Sequence, residues 1–326
     1  MHRIKINWVW ELYTGNYLKY LALYSIIILA GVGCSGENDF YNDIPSGSLV
    51  AWGLDDDGQV SNLPEGEDFI AVSVGNRHSL ALRKDGSLVS WGRDSGGQVS
   101  DTPEGNDFVD IAAGYDYSLA LRSNGTVEAW GWVEHQLKDR NAPEGDFIDI
   151  AAGYHHALVH HINGEISAWG NNFEGELQLA QLSDTPKEAS YITISANQNH
   201  NLALRRDGTV YAWGRDLLGS VKKTPSDDGF ISVAAGARHS LALKEDGTIA
   251  AWGWDMRNEV SDTPTDSGFI AIAAGYSHSL ALHKTGRIIA WGWDRGDAGQ
   301  TRDVPVGDHF IAISAGDFHN LAIKKQ

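Results

Sequence analysis

Histidine at position 78 recurs at 156, 200, 239, 278 and 319, with Tyr117 in the remaining copy, and six imidazoles in one column are the chain's most obvious candidate for metal chemistry. A metal needs three or four ligands converging within a few ångströms. Here each histidine precedes by two residues a leucine of the same strand parity, so alternation turns it into a surface buried between repeats, bonded to a loop carbonyl. A second crowd, His155, His156, His160 and His161, divides in the same way. His156 and His160 point to one side of a strand and the other two to its reverse, so they form no chelating set.

Other chemistry is equally hard to assemble. The sequence holds no nucleophile elbow, phosphate loop or carboxylate pair in a cleft motif, and its Asp and Glu are scattered over turns where solvation explains them. Gly31-Val-Gly-Cys-Ser-Gly36 matches a dinucleotide fingerprint, but that motif needs a strand before it and a helix after it. An apolar leader precedes this one and the acidic spacer Glu37 to Asp43 follows. We therefore expect no enzyme, no cofactor and no metal.

What positions these residues is a repeat. Trp52, Trp91, Trp130, Trp169, Trp213, Trp252 and Trp291 each precede a glycine, at intervals of 39, 39, 39, 44, 39 and 39 residues. A fixed period of this length marks stacked supersecondary units, none of which buries its apolar surfaces alone. One copy, Phe269 to Gly292, reads as a strand Phe269–Ala274, a second His278–His283 and a third Arg287–Trp291. A short fourth strand is expected in the return segment, as at Gln98-Val99 or Glu259-Val260.

Turn chemistry supports the division. Asp85-Gly86, Asn124-Gly125, Asn163-Gly164, Asp207-Gly208, Asp246-Gly247 and Thr285-Gly286 join second and third strands, as in tight hairpins with positive φ at both central residues. After the first strand stand Gly75, Gly114, Gly153, Gly236, Gly275 and Gly316, with Asn197 in the odd copy, so a left-handed backbone is the expectation for that column.

Seven four-stranded antiparallel units are best satisfied by radial stacking, where each buries both faces against its neighbours. The fold class predicted is all-β, a seven-bladed β-propeller. Its last blade is closed from both ends, since the chain stops at Leu321-Ala-Ile-Lys-Lys-Gln326 and the missing third strand, Ser46 to Trp52, lies at the start. The domain is 46–326.

The chain of 326 residues has a net charge of −18. Residues 1–33 carry Arg3, Lys5 and Lys19 against Glu11, a surplus of two positive charges, so the remainder stands at −20. A polyanion of this kind is repelled by phosphate backbones and anionic membranes, which argues against nucleic-acid binding and favours a soluble monomer. The lone Cys34 excludes an internal disulfide. It follows a weakly basic start, the apolar run Tyr20 to Ala30 and Gly31-Val-Gly, a lipoprotein-like export segment in which Cys34 would be lipidated, although Gly31 replaces the usual larger aliphatic residue. Residues 34–45 then form an acidic spacer. The expected place is the cell envelope, lipid-anchored or secreted, with the N-terminal lipid or anchor as the sole membrane contact.

Stretches such as Gly236-Ala-Arg-His-Ser-Leu-Ala-Leu243 and Gly247-Thr-Ile-Ala-Ala-Trp-Gly253 resemble the regulator of chromosome condensation repeat family over nearly all of residues 46–326. The short unit looks closest to the bacterial branch that includes β-lactamase-inhibitory protein II. The resemblance implies a protein-binding platform. It also raises the alternative of a guanine-nucleotide exchange factor acting on a small GTPase, which an exported acidic chain fits poorly.

Residues shared by every blade serve the fold, so recognition is sought where copies disagree. Strand direction brings the loops after first and third strands to one face. That face gathers Trp132, Trp254, Trp293, Tyr115, Tyr154, Tyr276 and Phe318 among Arg93, Arg215, Asp255 and Asp294, the composition of a protein-binding hot spot. The five extra residues within 171–180 would enlarge its rim. A protein partner, with enzyme inhibition as one form of the interaction, is the leading expectation; a carbohydrate-binding or hydrolytic propeller is the other.

Overall fold

A computed structural model describes residues 44–137, 142–170, 182, 184–296 and 298–325. Cys34, the export segment and the whole insertion at 171–180 thus lie outside the described residues. Within them the chain forms seven antiparallel sheets. Blade 1 consists of Phe69–Val74, His78–Arg83 and Leu88–Gly92. Blades 2 to 6 repeat it from Phe108–Ala113, Phe147–Ala152, Tyr191–Ala196, Phe230–Ala235 and Phe269–Ala274. Blade 7 takes Phe310–Ala315 and His319–Lys324 from one end of the chain and Ser48–Gly53 from the other, pairing Leu49 with Ile323 and Ala51 with Leu321.

First strands of successive blades lie side by side right round the ring and so form its inner wall. Second strands, such as His-Ser-Leu-Ala-Leu, are buried on both sides because a neighbouring blade covers each. The apolar clusters accordingly straddle blade boundaries: Leu321 and Ile323 of blade 7 pack with Phe69, Val72 and Trp91 of blade 1.

The histidine column is the seam between blades. The Nε2 atoms of His78, His200, His239 and His319 meet the hydroxyls of Ser118, Ser240, Ser279 and Ser79 on the next blade at 2.9, 2.7, 2.9 and 2.8 Å. His156 and His278 meet Asn201 and Asn320 at 2.6 and 2.7 Å, and Tyr117 donates to the His156 carbonyl at 2.6 Å. The circle closes on itself. The partner is therefore a side chain of the adjacent second strand, and a main-chain carbonyl only for Tyr117; the spacing of about one period between His and Ser columns is what aligns them. Ser279→Ala would leave the buried His239 nitrogen unpaired, and we expect it to lower unfolding free energy by about 1–3 kcal/mol, read from urea denaturation.

Three local expectations are corrected. The return segments are turns, so each described sheet has three strands. Backbone groups that a fourth strand would use are spent elsewhere: Val99 and Ser100 donate to Asp94 Oδ1 at 2.9 Å each, and the Gln98 carbonyl accepts the Trp130 indole at 3.0 Å. In the hairpins only the glycine is left-handed, as at Gly86 with φ 82°, whose N–H closes a turn onto the Arg83 carbonyl at 2.9 Å. The preceding Asp85 instead accepts the Ser87 N–H at 2.9 Å. The glycine column after the first strand has no positive φ at all. It is selected for space, since a Cβ on Gly275 would fall 2.3 Å from the Gly316 carbonyl oxygen and 2.5 Å from the His278 ring.

Candidate functional site

Both loop sets expected on one face do adjoin there. In six blades the residue following Trp-Gly donates its N–H to the loop between first and second strands: Leu54 to Phe318, Arg93 to Arg77, Trp132 to Asp116, Arg215 to Asn199, Trp254 to Arg238 and Trp293 to Ser277, at 2.7–3.0 Å. Trp132 and Tyr276 consequently emerge on the same side of the disc. The Trp-Gly glycines that permit this are left-handed, for example Gly253 with φ 105°.

The candidate residues then separate into two groups. Over blades 5 to 7 aromatic rings and guanidinium groups alternate: Arg238 lies 5.2 Å from the Trp254 ring and 5.6 Å from that of Tyr276, which stands 5.9 Å from Phe318. Arg295 covers Phe318 at 4.2 Å and Arg257 covers Trp293 at 5.1 Å. Arg238 also donates to the Tyr276 hydroxyl at 3.3 Å. These contacts hold the side chains in an arc without burying them.

The second group closes the axis. Tyr154 is buried, unlike its expected role on an open face, and its hydroxyl donates to Asp317 Oδ2 at 2.5 Å across the ring from blade 3 to blade 7. Asn76 of blade 1 donates to the same oxygen at 2.6 Å. Burial raises the Asp317 carboxyl to about 6, against these two bonds, and also raises the Tyr154 phenol. Tyr115 packs on Tyr154 with centroids 4.4 Å apart. Beside this tie lies a cavity of 590 Å³ lined by Asp57, Asn76, Arg77, Arg93, Tyr115, Arg295 and Phe318. Arg93 in its wall sits 3.9 Å from Asp116 and donates to Ser95 at 2.8 Å.

The acidic candidates are turned to structural use. Asp255 Oδ1 accepts the N–H groups of Val260 and Ser261 at 2.9 Å each, as Asp55, Asp94 and Asp216 do in their own return loops. Asp294 accepts the Gln300 N–H at 3.0 Å and pairs with Arg302. Arg215 is half-buried at the root of its loop. Trp132 stands apart on blade 2, 42% exposed, at the head of a one-turn helix, Val133–Gln136, that the repeat pattern does not predict. Two exposed apolar residues of the same return loops, Leu218 and Met256, escape the sequence reading. The signal available for Met256 was variability: its column reads Asp56, Ser95, Glu134, Phe173, Leu217, Met256 and Arg295, changing from copy to copy.

Elsewhere, Asp110 and Asp149 stand on neighbouring inner strands. Burial pushes both up, Asp149 to about 7, and Asp149 accepts Thr193 Oγ1 at 3.1 Å and the Ile194 N–H at 3.2 Å, which ties blade 3 to blade 4. The four crowded histidines part as alternation requires, His156 and His160 inward to Asn201 and the Tyr191 carbonyl, His161 outward to Ser167. Among the described residues no three His, Cys, Asp or Glu converge as a metal site.

The model of the regulator of chromosome condensation repeat matches residues 69–98, 108–132, 147–176, 191–219, 230–258 and 269–300, more than half of the chain. Human WBSCR16 superposes with a TM-score of 0.69 at 15% identity, covering 86% of this chain and 99% of its own. Prp20p of Saccharomyces cerevisiae, in a structure described with its binding properties to Gsp1p and histones, gives 0.66 at 20% identity over 90% and 96%. The same yeast protein, solved with Kap60 bound, gives 0.69 at 20% identity over 89% and 92%. No curated protein sequence matches the chain. At these identities the likeness is one of fold.

Proposed function

Because this chain belongs to the regulator of chromosome condensation repeat family, we propose that it is a non-catalytic, monomeric propeller that binds a protein partner on the face of its unlike loops. The observation that carries the reading is the arc of Trp254, Tyr276, Trp293 and Phe318 stacked with arginines, flanked on the same face by exposed Trp132, Leu218 and Met256. Aromatic and arginine side chains held rigid in a polar rim lose little entropy on docking and carry most of the energy of protein interfaces. At the opposite face, built of repeated Asp-Gly and Asn-Gly hairpins, the stacked cations Arg83, Arg122, Arg205 and Lys244 are paired with carboxylates of the chain itself.

Export through residues 1–33 belongs to the same proposal, with Cys34 lipidated and the propeller held at the cell envelope or released from it. An envelope or secreted enzyme is then a natural target, bound as by an inhibitor. Exchange-factor activity requires the chain to remain where a small GTPase is, so mass spectrometry of the native N-terminus separates the two: a start at Cys34 in the envelope fraction supports export, and an intact Met1 in the cytosol contradicts it.

Partner capture tests the face. The combined change Trp132→Ala, Trp254→Ala and Trp293→Ala should weaken affinity by more than about 100-fold in pull-down and titration from native extract, with the near-ultraviolet signal of the buried Trp column retained. Undiminished capture by the triple variant would contradict the assignment.

A further inference from the structure

The two ends of the blades treat their stacked cations differently. At the hairpin end, Arg83 lies over Phe69 at 4.4 Å, Arg122 over Phe108 at 4.1 Å, Arg205 over Tyr191 at 5.6 Å and Lys244 over Phe230 at 5.1 Å. Each of these cations is also paired with a carboxylate: Asp68, Asp107 with Glu128, Glu188 and Asp227 respectively. In these four blades the unit is ring, cation and acid; in blade 7 Lys324 lies over Phe310 at 5.9 Å with no carboxylate pair among the described residues.

At the loop end the same unit is built without its acid. Arg238, Arg257 and Arg295 lie on Trp254 and Tyr276, on Trp293 and on Phe318, and among the described residues none of them pairs with a carboxylate. In a chain with 43 acidic and 25 basic residues, three neighbouring guanidinium groups left without acids are not a consequence of composition. The nearby carboxylates are engaged elsewhere, Asp255 on its own loop amides, Asp294 on Arg302 and Asp317 on Tyr154 and Asn76. A stacked guanidinium is fixed in orientation and keeps its N–H edge available for a bidentate carboxylate.

We propose that this face selects a protein partner presenting clustered Asp or Glu side chains, which complete the three unfinished units at Arg238, Arg257 and Arg295. The proposal rests on the reading of the face as a protein-binding surface and names the chemistry it recognises. It has a signature that generic charge attraction lacks. The body of the protein is strongly negative, so an acidic partner is repelled at long range and held only at contact. Salt screens the repulsion beyond about 8 Å at physiological strength while the desolvated contacts persist. Association with such a partner therefore speeds up as salt rises from low to physiological concentration, where a basic partner would slow down.

The test uses the full chain and three fluorescent peptides of equal length in which Glu, Gln or Lys alternates with the same neutral residues, read by anisotropy. The Glu peptide should bind at least about tenfold more tightly than the Gln peptide. Arg257→Gln with Arg295→Gln should remove that preference, and Arg257→Lys with Arg295→Lys should restore less than half of it, because an ammonium lacks the planar fork. Equal affinities for Glu and Gln, including binding by neither, or a stronger response to Lys, would overturn the proposal. So would a Glu preference that survives both Arg→Gln changes. If the triple Trp variant loses its native partner while Glu and Gln peptides bind alike, the face stands and the acidic partner falls. If the Glu preference holds while native capture ignores the Trp changes, the carboxylate selectivity stands and the wider face assignment falls.

Discussion

Acidification from pH 7 to pH 4 should unfold this propeller cooperatively, with a midpoint near pH 5. The cause is the inter-blade seam. Burial holds His78, His156, His160 and His200 down at about 4 and His239 and His319 at about 3, against 6.5 for a free imidazole, and lowers His278 as well. The unfolded chain takes up these protons as pH falls through 6.5, whereas the native ring stays neutral until its own lower values. Stability is therefore full above about pH 7 and is lost progressively below it. At pH 5 each such histidine removes about 2 kcal/mol.

Buried carboxyls act in the opposite sense. Asp149 at about 7 and Asp317 at about 6 are protonated in the native state before they are in the unfolded one, which stabilises the fold as pH falls. Their gain is about 4 kcal/mol together at pH 5, too little to offset six histidines. Asp110, which burial also raises, adds to that gain, so the net loss is below about 8 kcal/mol and still a large part of the whole stability of an ordinary domain. Near-ultraviolet circular dichroism against pH measures it; a native spectrum retained at pH 4 would show that the seam does not govern stability.

A chain beginning at Leu54, without the strand Ser48–Gly53, should lose cooperative folding altogether, while one beginning at Ile44, which keeps that residue in its core cluster, melts like the full protein. The strand is the third member of blade 7 and pairs along its length with His319–Lys324. Removing it strips Leu49 from the cluster it shares with Leu321, Ile323 and Phe69, and takes away Trp52, whose indole donates to the Gln300 carbonyl at 2.9 Å. Burial of Leu49, Val50, Ala51 and Trp52 is worth on the order of 5 kcal/mol or more, and an open edge on the central strand follows as well. Calorimetry of the two truncations checks this. A sharp, undiminished transition in the shorter chain would mean that the ring does not depend on its closing strand.

The ring itself was legible because it rests on things a single sequence displays: a fixed Trp-Gly interval, Asp-Gly turns and a strand missing at one end that appears at the other. The closing pair Leu49 and Ile323 follows from the repeat phase alone. Local conformation was less accessible. Gly275 looks like a left-handed residue until the carbonyl of Gly316, on the next blade, is seen to occupy the space of its Cβ. The His column was correctly assigned to packing, but its partner Ser279 is a strand residue 40 positions from His239, paired with it only by the stagger of one blade on the next.

The face was legible as a set of columns and not as a surface. Tyr154 and Tyr276 occupy equivalent positions, yet one reaches across the axis to Asp317 and the other lies open beside Phe318. Nothing local distinguishes them, because the difference is made by Asp317, 163 residues from Tyr154. Asp255 likewise reads as a contact residue until its bonds to Val260 and Ser261 are seen. The loop end thus reads as aromatic and acidic in sequence and as aromatic with unpaired arginines in three dimensions.

The division between a uniform scaffold and a recognising rim is tested most directly by hydrogen–deuterium exchange of the propeller with its captured partner. Protection should be confined to the loops after first and third strands, around Tyr276, Phe318 and the segments following Trp252 and Trp291. The hairpins at Gly86, Gly125, Gly208 and Gly247 should exchange as they do in the free protein. Protection centred on those hairpins instead would contradict the account.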